Sequence, residues 1–228
     1  MRSAGCAIND YADRDFDRHV ERTKDRPLTS GRVRPWEALL VAAILAALAF
    51  LLIWPLNNYT KLLSVPALLV AIIYPFTKRF FSIPQAVLGI AFSFGIPMSF
   101  AAVQNEIPLY SWVLVLANIA WAIAYDTAYA MVDKNDDLKL GIKTSAITFG
   151  KYDVLAIFIC YGIFFLGFAY VALHQRLSSV FWLFWVLGFT LVLHYYGLIK
   201  TRDRAKCFQA FKQNNWLGAL FFIAIACS

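Results

Sequence analysis

Seven apolar stretches recur along the 228-residue chain, at approximately 36–56, 62–76, 84–103, 109–132, 154–173, 180–199 and 216–226. Most of them reach the roughly 20 residues that a helix rising about 1.5 Å per residue needs to cross about 30 Å of hydrocarbon. They leave no room for a separate soluble unit, so the chain reads as one membrane-embedded domain over 1–228 with an all-α, polytopic helical-bundle fold. Composition agrees: 61% of the residues are hydrophobic and 15% charged, where a soluble domain carries about a quarter charged.

The stretch at 62–76 is short and contains Pro66 and Pro75. It reads as a broken helix, which a bilayer tolerates only where protein or a polar cavity receives the freed backbone groups. The stretch at 216–226 is also short and reads as a clipped final helix.

Assigning the connecting segments alternately to the two membrane faces separates the basic residues. One face collects nineteen Lys and Arg, from 1–35, 77–83, 133–153 and 200–215, and the other face collects two. Under the positive-inside rule the first face is cytoplasmic. This placement accounts for the pI without a nucleic-acid partner, and Arg32, Arg34, Lys200, Arg202, Arg204 and Lys206 read as interfacial anchors. Trp36, Trp54, Trp112 and Trp182 lie near segment ends, as an aromatic belt would. The four cysteines, Cys6, Cys160, Cys207 and Cys227, lack metal or disulfide spacing and read as packing residues. His19, His174 and His194 are scattered without ligand spacing.

Two acidic clusters fall on the cytoplasmic side. The first is Asn9-Asp10-x-x-Asp13-x-x-x-Asp17, in which the three aspartates fall within roughly 60° on one helical face, with Asn9 beside them and Asp15 pointing away. The second is Asp126, Tyr129, Asp133 and Asp137, again on one helical face, with Asp136 alongside. Clustered carboxylates repel one another unless cations sit among them. Hard oxygen ligands suit Mg²⁺, which is held by a few carboxylates together with substrate phosphates. Asp126 lies deepest in the apolar zone, and an ionisable group at such depth marks function. Arg22, Arg26, Lys78, Lys139 and Lys143 flank these clusters and can grip phosphate oxygens. The rings of Tyr74, Tyr125 and Tyr129 lie near the motifs, where a π face can stabilise a cation.

The first motif, the element Tyr74-x-x-x-Lys78 and the pair Asp133-x-x-x-Asp137 together resemble the UbiA superfamily of intramembrane prenyltransferases. The strings Arg26-Pro-Leu-Thr-Ser-Gly31 and Asp137-Leu-Lys-Leu-Gly-Ile-Lys-Thr-Ser145 are similar to its bacterial 4-hydroxybenzoate polyprenyltransferase branch. The resemblance covers essentially the whole chain and implies nine helices around a central cavity, about seven of them present, with the first helix and most of the second missing. It implies transfer of a polyprenyl group from polyprenyl diphosphate to the ring carbon ortho to the hydroxyl of 4-hydroxybenzoate, in ubiquinone biosynthesis at the bacterial inner membrane. Mg²⁺ would be held by Asp10, Asp13, Asp17, Asp133 and Asp137, with Asp126 as a further participant. Asn9, Arg22, Lys78, Lys139 and Lys143 would bind diphosphate. Arg26 would hold the benzoate carboxylate, with Tyr74 and Tyr129 at the acceptor. Other members of the superfamily use haem, homogentisate or naphthoate. A cation transporter would place its carboxylates near mid-bilayer rather than at one face, and a lipid-binding accessory subunit would show no Mg²⁺-dependent diphosphate binding.

Overall fold

The computed structural model describes residues 1–20 and 22–228. The regular elements are α1 (Arg2–Asp17), α2 (Pro35–Ile53), α3 (Asn58–Thr77), α4 (Pro84–Ser93), α5 (Gly95–Gln104), α6 (Leu109–Leu140), α7 (Ser145–Phe149), a single 3₁₀ turn (Gly150–Tyr152), α8 (Asp153–His174), α9 (Ser179–Ile199) and α10 (Arg204–Ala226). Six stretches among the described residues are long and apolar enough to cross a membrane: α2, α3, α4 with α5, α6, α7 with α8, and α9. The fold is a polytopic helical bundle, as the apolar pattern predicts.

Three boundaries differ from that pattern. Residues 58–77 form one continuous helix of 20 residues with Pro66 and Pro75 inside it. Each proline removes only one bond from the helical ladder, and Ser and Thr side chains help re-satisfy freed carbonyls in apolar surroundings. The interruption falls instead at Phe94, between α4 and α5, followed by Gly95 and Pro97. The second difference is α6, which runs 32 residues to Leu140 and ends on Gly141 in a left-handed conformation (φ 67°). The second acidic motif therefore lies wholly on regular helix.

The third is α10, which spans 23 residues rather than the eleven or so that are apolar. It starts at Arg204 because the Asp203 side chain caps it, accepting from the Lys206 amide at 3.0 Å. Its polar first half is buried where it matters: Asn214, 4% exposed, accepts from Trp121 Nε1 at 2.6 Å and donates to the Tyr161 hydroxyl. A bilayer interior leaves such groups no water to bind, so this bond set ties α6, α8 and α10 together.

The long helix α6 is the central post, packing against α4, α8 and α10, while α1 lies against α2 and α3. Its contact faces are lined with Ala117, Ala120, Ala124 and Ala128, all buried. Small residues let membrane helices approach closely and gain dispersion contacts where the hydrophobic effect supplies little. A Cβ added to Gly89 of α4 would lie 3.0 Å from the Ile119 Cα of α6. Trp36, Trp54 and Trp112 are exposed near helix ends, as a belt requires. Trp182 instead packs inward, with ring centroids 5.4 Å from Phe181 and 6.2 Å from Trp185. Of the cysteines, Cys207 is buried and Cys160 half-buried, whereas Cys6 and Cys227 are exposed.

The approach of α8 to α6 is tightest at Gly167, where an added Cβ would sit 2.8 Å from the Ala117 Cβ. Gly167→Val should cost about 1–3 kcal/mol by overpacking and lower the thermal midpoint of the detergent-solubilised protein. An unchanged midpoint would contradict this close approach.

Candidate active site

At the end of α1, Asp13 and Asp17 are buried, at 9% and 8% exposed, while Asp15 faces outward as its helical phase requires. Burying carboxylates is costly without counter-charge, and the counter-charge comes from other segments. Arg26, on the connection to α2, donates from Nη1 to Asp10 Oδ1 at 2.8 Å and to Asp17 Oδ2 at 3.0 Å. Lys78, at the end of α3, donates to Asp13. The Tyr74 hydroxyl, one turn earlier on α3, donates to Asn9 Oδ1 at 3.1 Å. Burial pushes the Asp17 carboxyl above its ordinary pKa, with the charge of Arg26 opposing the shift.

Arg22, on the connection that follows the first motif, meets the second. Its Nη2 donates to Asp133 Oδ2 at 2.6 Å and its Nε to the same oxygen at 3.2 Å. The guanidinium also lies over the Tyr129 ring, 4.5 Å from the centroid, and that ring stacks on Phe211 of α10 at 4.3 Å. Asp133 and Asp137 are each 8% exposed. Asp137 lies within electrostatic reach of Asp133, Lys78, Asp136 and Asp13. The two acidic helices, predicted from alternation to share one face of the membrane, thus converge at one end of the bundle. A pocket of about 290 Å³ opens there, with Asp13, Lys78, Arg79 and Gly141 among its lining residues.

Asp126 lies deeper along α6, near the Gln85 side chain of α4. Gln85, 5% exposed, accepts from the Ser145 amide at 3.0 Å, and the Ser145 and Thr127 hydroxyls are 2.7 Å apart. Lys139 is exposed on the last turn of α6. Lys143 donates its amide to the Lys78 carbonyl at 3.1 Å and its ammonium to the Phe80 carbonyl at 3.0 Å. Its charge thus braces the loop after α3 rather than touching a carboxylate.

Sequence reasoning missed two participants. Arg204, expected to be an anchor, lies 3.1 Å from Asp136 and 3.7 Å from Asp133. Asp153, with no exposed surface, is held by Arg202 at 2.7 Å and Lys134 at 3.2 Å. These partners lie 19 or more residues apart, so no local spacing links them. The available signal was Asp153 itself, a lone carboxylate opening an apolar helix.

Among the described residues, no three acidic, His or Cys side chains are gathered into a ready-made cation cage. The carboxylates of the mouth are hard oxygen donors, the kind Mg²⁺ takes one or two at a time together with phosphate oxygens and water. Each carboxylate that turns to a metal frees the Lys or Arg now paired with it, and that cation can then take an anion. The mouth can therefore exchange its internal ion pairs for a metal–oxyanion complex.

The chain matches the UbiA prenyltransferase family over residues 1–225. It is 59% identical to a 4-hydroxybenzoate octaprenyltransferase of Burkholderia vietnamiensis, over 99% of this chain and 78% of that protein. It is 58% identical to the protein of the same name from Paraburkholderia xenovorans, over 99% of this chain and 79% of the relative. Among solved structures, the apo form of a UbiA homolog from Aeropyrum pernix K1 superposes with a TM-score of 0.88 at 26% identity, covering 99% of this chain and 84% of that one. A UbiA homolog from Archaeoglobus fulgidus bound to GPP and Mg²⁺ shares the fold, with a TM-score of 0.69 at 20% identity over 98% and 83% of the two chains. The protein is thus an intramembrane helical bundle with an acidic mouth, and it belongs to the UbiA prenyltransferase family.

The Arg22–Asp133 pair ties the segment after the first motif to the second. Arg22→Ala should cost about 1–3 kcal/mol, the penalty for leaving a buried charged acceptor under-satisfied, with Arg22→Lys falling between it and the parent. Thermal unfolding in detergent measures this, and equal midpoints for all three proteins would contradict the pairing.

Proposed function

We propose that this protein transfers a polyprenyl group from its diphosphate to the ring carbon ortho to the hydroxyl of 4-hydroxybenzoate, at the mouth where α1, α3 and α6 converge. The observation that carries this reading is the pairing of Asp13 with Lys78 and, from the segment that follows the first motif, of Arg22 with Asp133, in a chain 59% identical to a protein named for that reaction. That name also points to an octaprenyl donor.

Asp10, Asp13, Asp17, Asp133 and Asp137 are the residues that would hold Mg²⁺. When bound, the metal neutralises charge on the departing diphosphate. Asn9, Arg22 and Lys78 then face the diphosphate oxygens, and Arg22 and Lys78 are free to donate once their carboxylates have changed partner. Lys139 and Lys143 contribute positive potential at the rim, which draws the polyanionic headgroup in. Arg26, released from Asp10 and Asp17 in the same exchange, pairs with the benzoate carboxylate. Tyr74 and Tyr129 flank the acceptor.

The allylic C–O bond breaks with its electron pair going to diphosphate. The ring carbon ortho to the hydroxyl then bonds to the allylic carbon, and the proton on that ring carbon leaves to a site carboxylate or to the released diphosphate. Asp126, below the mouth, is the deepest of the carboxylates that can serve. The apolar bundle keeps bulk water from the cation. Nineteen basic residues on the aspartate-bearing face against two on the other favour a cytoplasmic mouth in the bacterial inner membrane.

Asp13→Ala and Asp133→Ala should each reduce turnover by about 10²–10³-fold or more while leaving membrane insertion intact. EDTA should abolish turnover of the parent, and Mg²⁺ should restore it. Full activity in either variant, or in chelator, contradicts the assignment; Mg²⁺-independent cation flux in liposomes would favour a transporter instead. Reporter fusions within 77–83 or 200–215 should read as cytoplasmic and those within 104–108 as external, and the reverse pattern would overturn the orientation.

A further inference from the structure

The turn between α9 and α10 carries an arrangement that the reaction above does not use. Asp153, the first residue of α8, has no exposed surface. Its Oδ1 accepts from Arg202 Nη2 at 2.7 Å and Nε at 2.9 Å, its Oδ2 from Lys134 at 3.2 Å, and the Val154 amide donates to Oδ1 at 2.8 Å. Arg202 also donates to the Lys151 carbonyl at 2.9 Å. It sits at φ 55°, a left-handed conformation that a side-chain-bearing residue keeps only where its surroundings over-determine it. Asp203 then caps α10. The direction in which Arg204 leaves the turn is therefore fixed from three sides.

Arg204 points at the second acidic motif. Its Nη2 lies 3.1 Å from Asp136 Oδ2 and 3.7 Å from Asp133 Oδ1, and its side chain is 48% exposed. The Asp133 contact is long beside the roughly 2.7–2.9 Å of a charge-assisted hydrogen bond. An ion pair this exposed contributes little. Arg22 meanwhile grips the other oxygen of Asp133 at 2.6 Å. A solvent-facing guanidinium aimed by a turn anchored on a fully buried carboxylate, but weakly held at its tip, is poised to change partner. An interfacial anchor needs neither a fixed aim nor a planar fork.

We propose that Arg204 is a further diphosphate-binding residue, delivered to the mouth by the α9–α10 turn, with Arg202 and Asp153 as its positioning residues. In the free protein Arg204 rests on Asp136 and Asp133; when Asp133 turns to metal, its fork is open to phosphate oxygens. The turn then forms a further arm of the site, beside the segments that supply Arg22 and Lys78. This inference rests on the diphosphate reading of the mouth.

The test is calorimetric titration of the detergent-purified chain with inorganic pyrophosphate in the presence of Mg²⁺. Arg204→Ala should weaken binding by about tenfold, as loss of a charge-assisted hydrogen bond would, with Arg204→Lys between it and the parent and the melting temperature unchanged. Asp153→Asn should move affinity in the same direction, by misaiming Arg204. Adding Asp136→Asn to Arg204→Ala separates direct binding from simple shielding of Asp136: affinity stays weak if Arg204 touches the anion, and recovery to the parent value overturns the proposal. Parental affinity in Arg204→Ala also overturns it while leaving the site reading intact. No pyrophosphate binding by the parent would overturn both.

Discussion

Carboxylates taken out of water at one end of an apolar bundle must be met by positive charge, because an isolated buried carboxylate costs several kcal/mol even after the surroundings relax. For Asp13, Asp17, Asp133 and Asp153 the charge arrives from a different segment. Arg22 and Arg26 come from the connection after α1, Lys78 from the end of α3, Arg202 from the turn before α10 and Arg204 from the first position of α10. The helix ends are drawn together by this pairing, and the mouth is its consequence. Without the cations, the aspartates of α1 and α6 would repel one another.

The pairs differ in how firmly they are made, and the difference separates scaffold from site. Asp153 is fully buried and gripped by Arg202 through both nitrogens of a fork as well as by Lys134, so removing any one partner strands charge. Nothing there is arranged to exchange. Around Asp13, Asp17 and Asp133 the carboxylate side chains themselves keep 11–12% exposure, where that of Asp153 has none. Beneath them the bundle is held by close helix approach at Gly89 and Gly167 and by the Trp121–Asn214–Tyr161 bonds, which keep the helix ends in register while partners change.

Much of this was legible in the chain. The apolar stretches fixed the helices, the spacing of Asp10, Asp13 and Asp17 fixed their common face, and the alternation of basic loops put both acidic motifs at one end. What stayed hidden is long-range. Pro66 and Pro75 read as a break because a local rule weighs each missing bond, whereas the helix 58–77 keeps the rest of its ladder. The first half of α10 read as loop because Lys206, Lys212 and Asn214 lower its hydropathy, yet Asn214 finds its partners on α6 and α8. Arg204 looked like an anchor because nothing near it in sequence reveals that Asp133 and Asp136, some 70 residues earlier, lie within reach. The roles of the mouth residues are inferred from chemistry and from the family, and they meet in one claim: both acidic motifs serve a single anion.

Titration of the Asp13→Ala and Asp133→Ala proteins with Mg²⁺ and pyrophosphate, beside the parent, tests that claim most directly. If one diphosphate spans both motifs, the parent binds one anion per chain and each substitution alone weakens binding by at least about tenfold, equivalent to roughly 1.4 kcal/mol. Parental affinity in either variant would mean that the corresponding motif does not share the anion, and the account would fail at its centre.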